Sequence, residues 1–167
     1  MIRKATEKDI PAAMELFSAA KSIMRSDGNM TQWEDGYPNE GIVRSDISKA
    51  GAYIVEHEGK LVGYFALLPP PEPTYSSIHG KWLDENSPYY VIHRIASTPE
   101  SHGVFREIID YALTVSSNLR IDTHRDNHIM QHIIEKAGFT YCDVINLADG
   151  SERLAYQRLD SVRQSLE

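Results

Sequence analysis

The stretch that most constrains the fold is 119–139, because its hydrophobic pattern changes there from a period of two to a helical period. The alternation predicts a strand, whose residues on one side are Leu119, Ile121 and Thr123. Helical spacing follows in the apolar residues Ile129, Met130, Ile133, Ile134 and Ala137. Asp126 and Asn127 can cap this helix, and Gly138 can end it in the left-handed conformation. A helix N-terminus therefore follows the carboxyl end of a strand, which is a frequent place for ligands.

Periodicity and turn residues predict the whole chain as strand, two helices, three strands, helix, strand, helix and two strands. The other helices are predicted at about 8–25, 40–49 and 104–117. The other strands are predicted at 2–5, 52–58, 60–68, 89–97, 140–147 and 153–159. This order indicates the α+β class, with a mixed, largely antiparallel central sheet flanked by helices.

Composition limits the class of protein. A chain of 167 residues can bury one sizeable core, so we assign 1–160 to a single domain and 161–167 to a polar C-terminal tail. The single Cys142 excludes an internal disulfide and fits a reducing cytoplasm, and the N-terminus carries no secretory signal. The net charge of −7 argues against nucleic-acid binding. No apolar run approaches the about 20 residues that span a membrane. We expect a cytoplasmic protein.

Two irregular segments carry aromatic side chains. Trp33 and Tyr37 lie in the segment 30–40, and Trp82 lies in the long polar connection 74–88. Trp33 either closes the hydrophobic core or forms a pocket wall with Tyr37. The connection 74–88 is either a functional loop, as long connections often are, or a solvated insertion.

The strand, Asn127, the amphipathic helix and Gly138-Phe139 together resemble the second half of the acetyl-CoA site of GCN5-related N-acetyltransferases, the GNAT family. The resemblance extends over most of the chain, and the order of elements agrees with the acyl-CoA N-acyltransferase fold. It implies acetyl transfer from acetyl-CoA to a primary amine of a small molecule or protein, by direct attack. The alternative is a catalytically weak acyl-CoA-binding or regulatory module. A homodimer is left open.

The resemblance also implies a cofactor site at a strand–loop–helix unit. The family's loop has a basic residue or Gln and then Gly-x-Gly, and this chain has Gly103 at the first glycine but Phe105 at the second. The residues implied for coenzyme A are Ile95, Ala96, Ser97, Ser101, His102, Gly103, Val104, Phe105, Asn127, Met130 and Ile134. Ile134 stands where the family usually has a Tyr that protonates the leaving thiolate. The usual general acid is therefore absent from that position.

The acceptor amine must lose a proton, and the resemblance points to two groups for this step. His93 lies on the strand before the loop, where many members place a carboxylate base, and imidazole suits proton transfer at neutral pH. Asp122 also matches a base position, although it can instead pair with Arg94 or Arg120. The resemblance places Trp33 and Tyr37 around the acceptor, and we add Trp82 because it is also an aromatic residue in an irregular segment.

Three histidines recur every four residues, at His124, His128 and His132. Such spacing on a helix can chelate zinc, but no nearby Cys or Glu completes a ligand set. We therefore predict an exposed helix face and no metal site.

Overall fold

The structure, a computed structural model, describes residues 1–34 and 36–160. Its order of elements matches the predicted order, with boundaries mostly within two residues. The helices are α1 (Ile10–Ser26), α2 (Glu40–Ser48), α3 (Val104–Val115) and α4 (His128–Lys136). The strands are β1 (Ile2–Lys4), β2 (Ala52–His57), β3 (Lys60–Leu68), β4 (Tyr90–Ser97), β5 (Asn118–Thr123), β6 (Thr140–Asn146) and β7 (Glu152–Leu159). The predicted tail at 161–167 lies outside the described residues.

The strands form one seven-stranded sheet in the order β1-β2-β3-β4-β5-β7-β6. Strands β4 and β5 are parallel, with Tyr90 opposite Leu119 and Val91 opposite Arg120. The β1–β2, β2–β3, β5–β7 and β6–β7 pairs are antiparallel. The α+β class with a mixed, largely antiparallel sheet is therefore confirmed. Within the described residues, no helix is long and apolar enough to cross a membrane.

The described residues divide into two compact units. Unit 1 comprises Met1–Leu68 and Ile92–Ile108, and unit 2 comprises Pro69–Val91 with the described residues from Ile109 onward. Each unit has its own cluster of buried apolar side chains. The assignment of 1–160 to a single domain stays a prediction.

The core of unit 1 forms where the apolar stripe of α1 meets strands β2 and β3. Phe17 of α1 is at its centre, with its ring edge-on to Tyr64 at 5.1 Å and to Trp33 at 5.6 Å between centroids. Trp33 is only 8% exposed and belongs to this core cluster. Of the two alternatives for Trp33, the structure favours closure of the hydrophobic core.

The connection 74–88 in unit 2 contains buried aromatic side chains, although most of its residues are exposed. It begins with a short 3-10 helix, Pro73–Ser77, and both Tyr75 and Trp82 are buried. The guanidinium carbon of Arg120 lies 4.0 Å from the ring centroid of Trp82 and 3.9 Å from that of Tyr89. Buried cation–π contacts of this kind are among the stronger ones. The connection is therefore held against β5 by its aromatic side chains.

Candidate functional site

The loop that enters α3 presents backbone donors at a helix N-terminus. The Ser101 N–H donates to the Thr98 carbonyl at 3.2 Å, which closes a turn after β4. The Gly103 carbonyl accepts from the Glu107 N–H at 3.1 Å and so begins the helical ladder. The N–H groups of Val104 and Phe105 precede that first bond and have no intrahelical acceptor. The Ser101 N–H, which belongs to a residue predicted to bind coenzyme A, is therefore already used within the turn.

Gly103 has the backbone conformation that the loop requires. Its φ is +76°, in the left-handed region that favours glycine, and no heavy atom beyond its chain neighbours lies within 4 Å of the position that a Cβ would occupy. Both His102 and Gly103 are exposed. The space in front of the helix start is therefore open, as a diphosphate would require.

The start of α3 is fixed by close packing on β3. A Cβ at Gly63 would lie 2.9 Å from the Val104 side chain, so only glycine allows this approach. The Thr98 N–H also donates to the Val62 carbonyl at 2.9 Å. These contacts hold both ends of the loop on the same strand, which keeps the helix N-terminus in place.

Strand β4 carries the residues predicted for the pantetheine arm and the base. Ala96 is buried, whereas His93, Ile95 and Ser97 are half-buried. Within the strand, Arg94 has a φ of +54°. A left-handed residue interrupts the regular alternation of side chains between the two faces of a strand. This conformation is uncommon for a residue with a Cβ. The pattern of the sequence gives no signal of this irregularity.

The start of α4 in unit 2 matches the predicted strand–turn–helix unit. The Asn127 side chain caps the helix by accepting from the Met130 N–H at 3.1 Å. Gly138 ends the unit with a φ of +91°. Ile134 is fully buried, so its side chain exposes no surface to a ligand in this structure. Contact of Asn127, Met130 and Ile134 with coenzyme A stays a prediction.

Asp122 has a partner that sequence reasoning missed. The Tyr75 hydroxyl donates to its carboxylate at 2.7 Å. Burial raises the pKa of Tyr75 well above its usual value, and the adjacent carboxylate adds to this effect, so the phenol remains a donor. The two arginines considered as partners of Asp122 each have another partner. Arg94 binds Asp46, and Arg120 donates to the Asp84 carbonyl.

The aromatic residues predicted for the acceptor differ in their surroundings. Tyr37 is half-buried in unit 1, and its hydroxyl accepts from Arg94 at 3.0 Å. Trp82 in unit 2 is buried and donates from its indole to the Tyr75 carbonyl at 3.1 Å. Trp33 lies in the core of unit 1. Their role in acceptor binding stays a prediction, and Tyr37 has the most accessible side chain of the three.

The three histidines at helical spacing do not form a chelate in unit 2. His124 precedes α4 and accepts from the Asp126 N–H at 3.0 Å, and burial lowers its pKa. His128 and His132 are exposed on the helix. Across residues 1–34 and 36–160, no three His, Cys, Asp or Glu side chains come together as a group that could hold a metal ion.

The burial of Ile134 leads to a prediction about the missing tyrosine. Ile134→Tyr adds a larger ring and a hydroxyl at a fully buried position, so we expect it to lower the free energy of unfolding by about 1–3 kcal/mol. Denaturant unfolding measures this change, and Ile129→Tyr, at an exposed position on the same helix, is the matched control. Under the acetyl transfer that the resemblance implies, a gain in turnover from Ile134→Tyr would indicate that thiolate protonation is rate-limiting. An unchanged stability would show that the site has room for the ring.

Similar solved structures share this architecture. No family model and no curated protein matches the chain. A GNAT-family acetyltransferase from Streptococcus agalactiae 2603 is 34% identical, covers 96% of this chain and 95% of its own, and superposes with a TM-score of 0.87. A GNAT-family acetyltransferase from Listeria monocytogenes 4b F2365 is 19% identical over 96% and 94%, with a TM-score of 0.71. The GNAT-like decarboxylase GphF in complex with isobutyryl-CoA is 12% identical over 95% and 98%, with a TM-score of 0.65.

The similarities to the Listeria protein and to GphF concern the fold alone. The similarity to the Streptococcus protein is close enough to define the family. The order of elements along the chain, the glycine loop before α3 and the Asn127-capped helix α4 are the features on which the resemblance depended. With a relative that is 34% identical along nearly the whole of both chains, this protein belongs to the GNAT family of acetyltransferases.

Proposed function

We propose that the protein transfers the acetyl group of acetyl-CoA to a primary amine of a small molecule or protein, in the cytoplasm. The observation that carries the proposal is the open cradle at the start of α3, where Gly103 at a φ of +76° leaves space in front of backbone donors. Such a cradle suits a diphosphate because the N–H groups and the helix dipole both favour negative charge.

The proposed reaction is direct attack with no acyl-enzyme. The neutral amine nitrogen bonds to the thioester carbonyl carbon, and the carbon–sulfur bond then breaks. The amine gives up one proton, and the thiolate of coenzyme A takes one, so the products are an amide and a free thiol. Acetyl-CoA supplies the activated acyl group, and the protein must hold it and move protons.

His93 and Asp122 are the groups we propose for the amine's proton. His93 is half-buried on β4 in unit 1, and an imidazole can accept a proton at neutral pH. Asp122 is half-buried on β5 in unit 2 and is held by the Tyr75 hydroxyl. In the proposal, His93 takes the proton directly or through water, and Asp122 assists electrostatically.

A catalytically weak acyl-CoA-binding module is the second candidate, and one observation favours it. Ile134 occupies the position of the family's proton-donating Tyr, and it is fully buried. Phe105 also replaces the second glycine of the loop. Neither change removes the backbone donors at the start of α3. This candidate therefore predicts that the protein binds acyl-CoA but transfers the acyl group inefficiently.

Thermal unfolding with and without acetyl-CoA, followed by an assay on a panel of amines, separates the two candidates. A ligand at 100 times its Kd stabilises the folded state by about 2.7 kcal/mol, so the shift is readily measured. A shift together with acetylated amine supports the enzyme. A shift without product from any amine of the panel supports the binding module, and the absence of a shift contradicts both.

A further inference from the structure

The irregular residue of β4 is tied to helix α2 by a buried ion pair. In unit 1, the Arg94 guanidinium donates to both oxygens of Asp46, from Nη2 to Oδ1 at 2.6 Å and from Nε to Oδ2 at 2.9 Å. The Asp46 side chain is 2% exposed and that of Arg94 is 12% exposed. A two-point contact of this kind fixes the orientation of a guanidinium as well as its position.

Two tyrosines complete the network. The Tyr64 hydroxyl of β3 donates to Asp46 Oδ2 at 2.8 Å, and Arg94 Nη1 donates to the Tyr37 hydroxyl at 3.0 Å. Burial raises the pKa of Tyr64 far above its usual value, with the Asp46 carboxylate adding to the effect, so this phenol remains a donor. The Asp46 carboxylate of α2 is therefore also bound from β3, and the Arg94 guanidinium is also bound by the segment before α2.

The backbone at Arg94 needs such support because it is strained. Its φ of +54° is unfavourable for a residue with a Cβ, and Arg94 is the one residue of β4 with a positive φ. Strained residues of this kind persist only when surrounding contacts determine their conformation. The Arg94 side chain has those contacts, since its guanidinium is held at three nitrogens.

We infer that Arg94 and Asp46 are positioning residues. Their ion pair holds Arg94 in the left-handed conformation, and this conformation directs the backbone of the next three residues, 95–97, toward bound acetyl-CoA. Neither side chain needs to touch the substrate. The inference about acetyl-CoA rests on the proposed function. The inference about the strand does not, because it concerns the conformation of β4 in the free protein.

A matched pair of variants at one position tests the role of the backbone. Arg94→Ala and Arg94→Gly lose the same guanidinium and the same ion pair, but only glycine adopts a φ of +54° without penalty. We expect the Kd for acetyl-CoA to be about 5- to 30-fold weaker in Arg94→Ala than in Arg94→Gly, the factor that corresponds to the left-handed penalty. Equal affinities would overturn the inference.

If Arg94→Ala or Arg94→Gly does not fold, Arg94→Lys tests the same ion pair. It keeps the positive charge but loses the two-point contact with Asp46, so we expect an affinity between those of the wild type and Arg94→Ala. Arg44→Lys makes the same change at an exposed arginine of α2 outside this network, and we expect its Kd to stay within about twofold of the wild type. A wild-type affinity in Arg94→Lys, or an equal loss in Arg44→Lys, would contradict the role of the ion pair.

Hydrogen exchange of the free protein separates this inference from the proposed function. We expect Asp46→Asn to accelerate amide exchange at Ile95–Ser97 by at least about tenfold, because the strained conformation loses its support. The β2 segment 52–55 of the same unit is the internal reference. Faster exchange with no acetyl-CoA binding in the wild type would uphold the positioning of β4 and reject the proposed function. Unchanged exchange at 95–97 would reject the inference even if acetyl-CoA binds.

Discussion

Replacing His93 by alanine is expected to lower kcat/KM for acetyl transfer by about 10²–10⁴-fold at neutral pH, the usual contribution of general-base catalysis. The loss should shrink as the pH rises, because an amine that is already neutral needs no base. Steady-state rates across a pH series measure this change. His132→Ala removes an exposed imidazole from α4 and should leave the rate unaltered. Full activity of His93→Ala with the wild-type pH profile would make His93 a packing residue of β4.

The contribution of Asp122 can be resolved into charge and hydrogen bond. Asp122→Asn removes the charge, yet its amide oxygen can still accept from Tyr75, whereas Tyr75→Phe removes the 2.7 Å hydrogen bond and keeps the charge. If Asp122 acts electrostatically, we expect Asp122→Asn to cost more than Tyr75→Phe and less than His93→Ala. A larger loss in Asp122→Asn than in His93→Ala would exchange the proposed roles of His93 and Asp122.

Replacing Gly103 by proline is expected to weaken acetyl-CoA binding by about 10- to 100-fold or more. Proline holds φ near −65°, which cannot match +76°, and it removes one backbone N–H. Calorimetric titration of acetyl-CoA into the folded variant measures the loss. Unchanged affinity would place the diphosphate elsewhere.

A pair of alanine variants supplies the control for this loop. Gly103 and Gly59 have nearly the same φ, +76° and +77°, and no atom beyond the chain neighbours lies within 4 Å of an added Cβ at either. Alanine therefore introduces similar strain at both sites, about 1–2 kcal/mol. We expect similar losses of stability, but weaker acetyl-CoA binding only in Gly103→Ala. Equal affinities in the two variants would remove Gly103 from the binding site.

Local patterns in the sequence were sufficient for the elements and their ends. The helical spacing from Ile129, the cap at Asn127 and the glycine at 138 are properties of neighbouring residues, and the structure has each of them. The glycine loop before α3 was located through the resemblance, because Gly103 matches the family's first glycine, and its left-handed conformation was not predicted.

The contacts that organise the candidate site could not be predicted in this way. Arg94 and Asp46 are 48 residues apart in the chain, and Tyr75 and Asp122 are 47 apart. No periodicity links such pairs, since each depends on how separate elements pack. The composition of the connection 74–88 likewise left its packing open, because polar residues flank the buried Tyr75 and Trp82. Burial of an aromatic side chain depends on its neighbours in space, which a polar sequence does not reveal.

Isotope-labelled acetyl-CoA can show whether the protein transfers acetyl to an amine. The wild-type protein is mixed with deuteroacetyl-CoA and one amine at a time, from diamines, amino sugars and peptides with free N-termini. Mass spectrometry of the amine and a thiol assay then count both products. We expect one labelled amide for each free thiol, with both products formed about 10²–10⁴-fold more slowly in His93→Ala. Thiol release without a labelled amide from any acceptor would contradict acetyl transfer, whereas the same initial rate in His93→Ala would contradict only the role of His93 as the base.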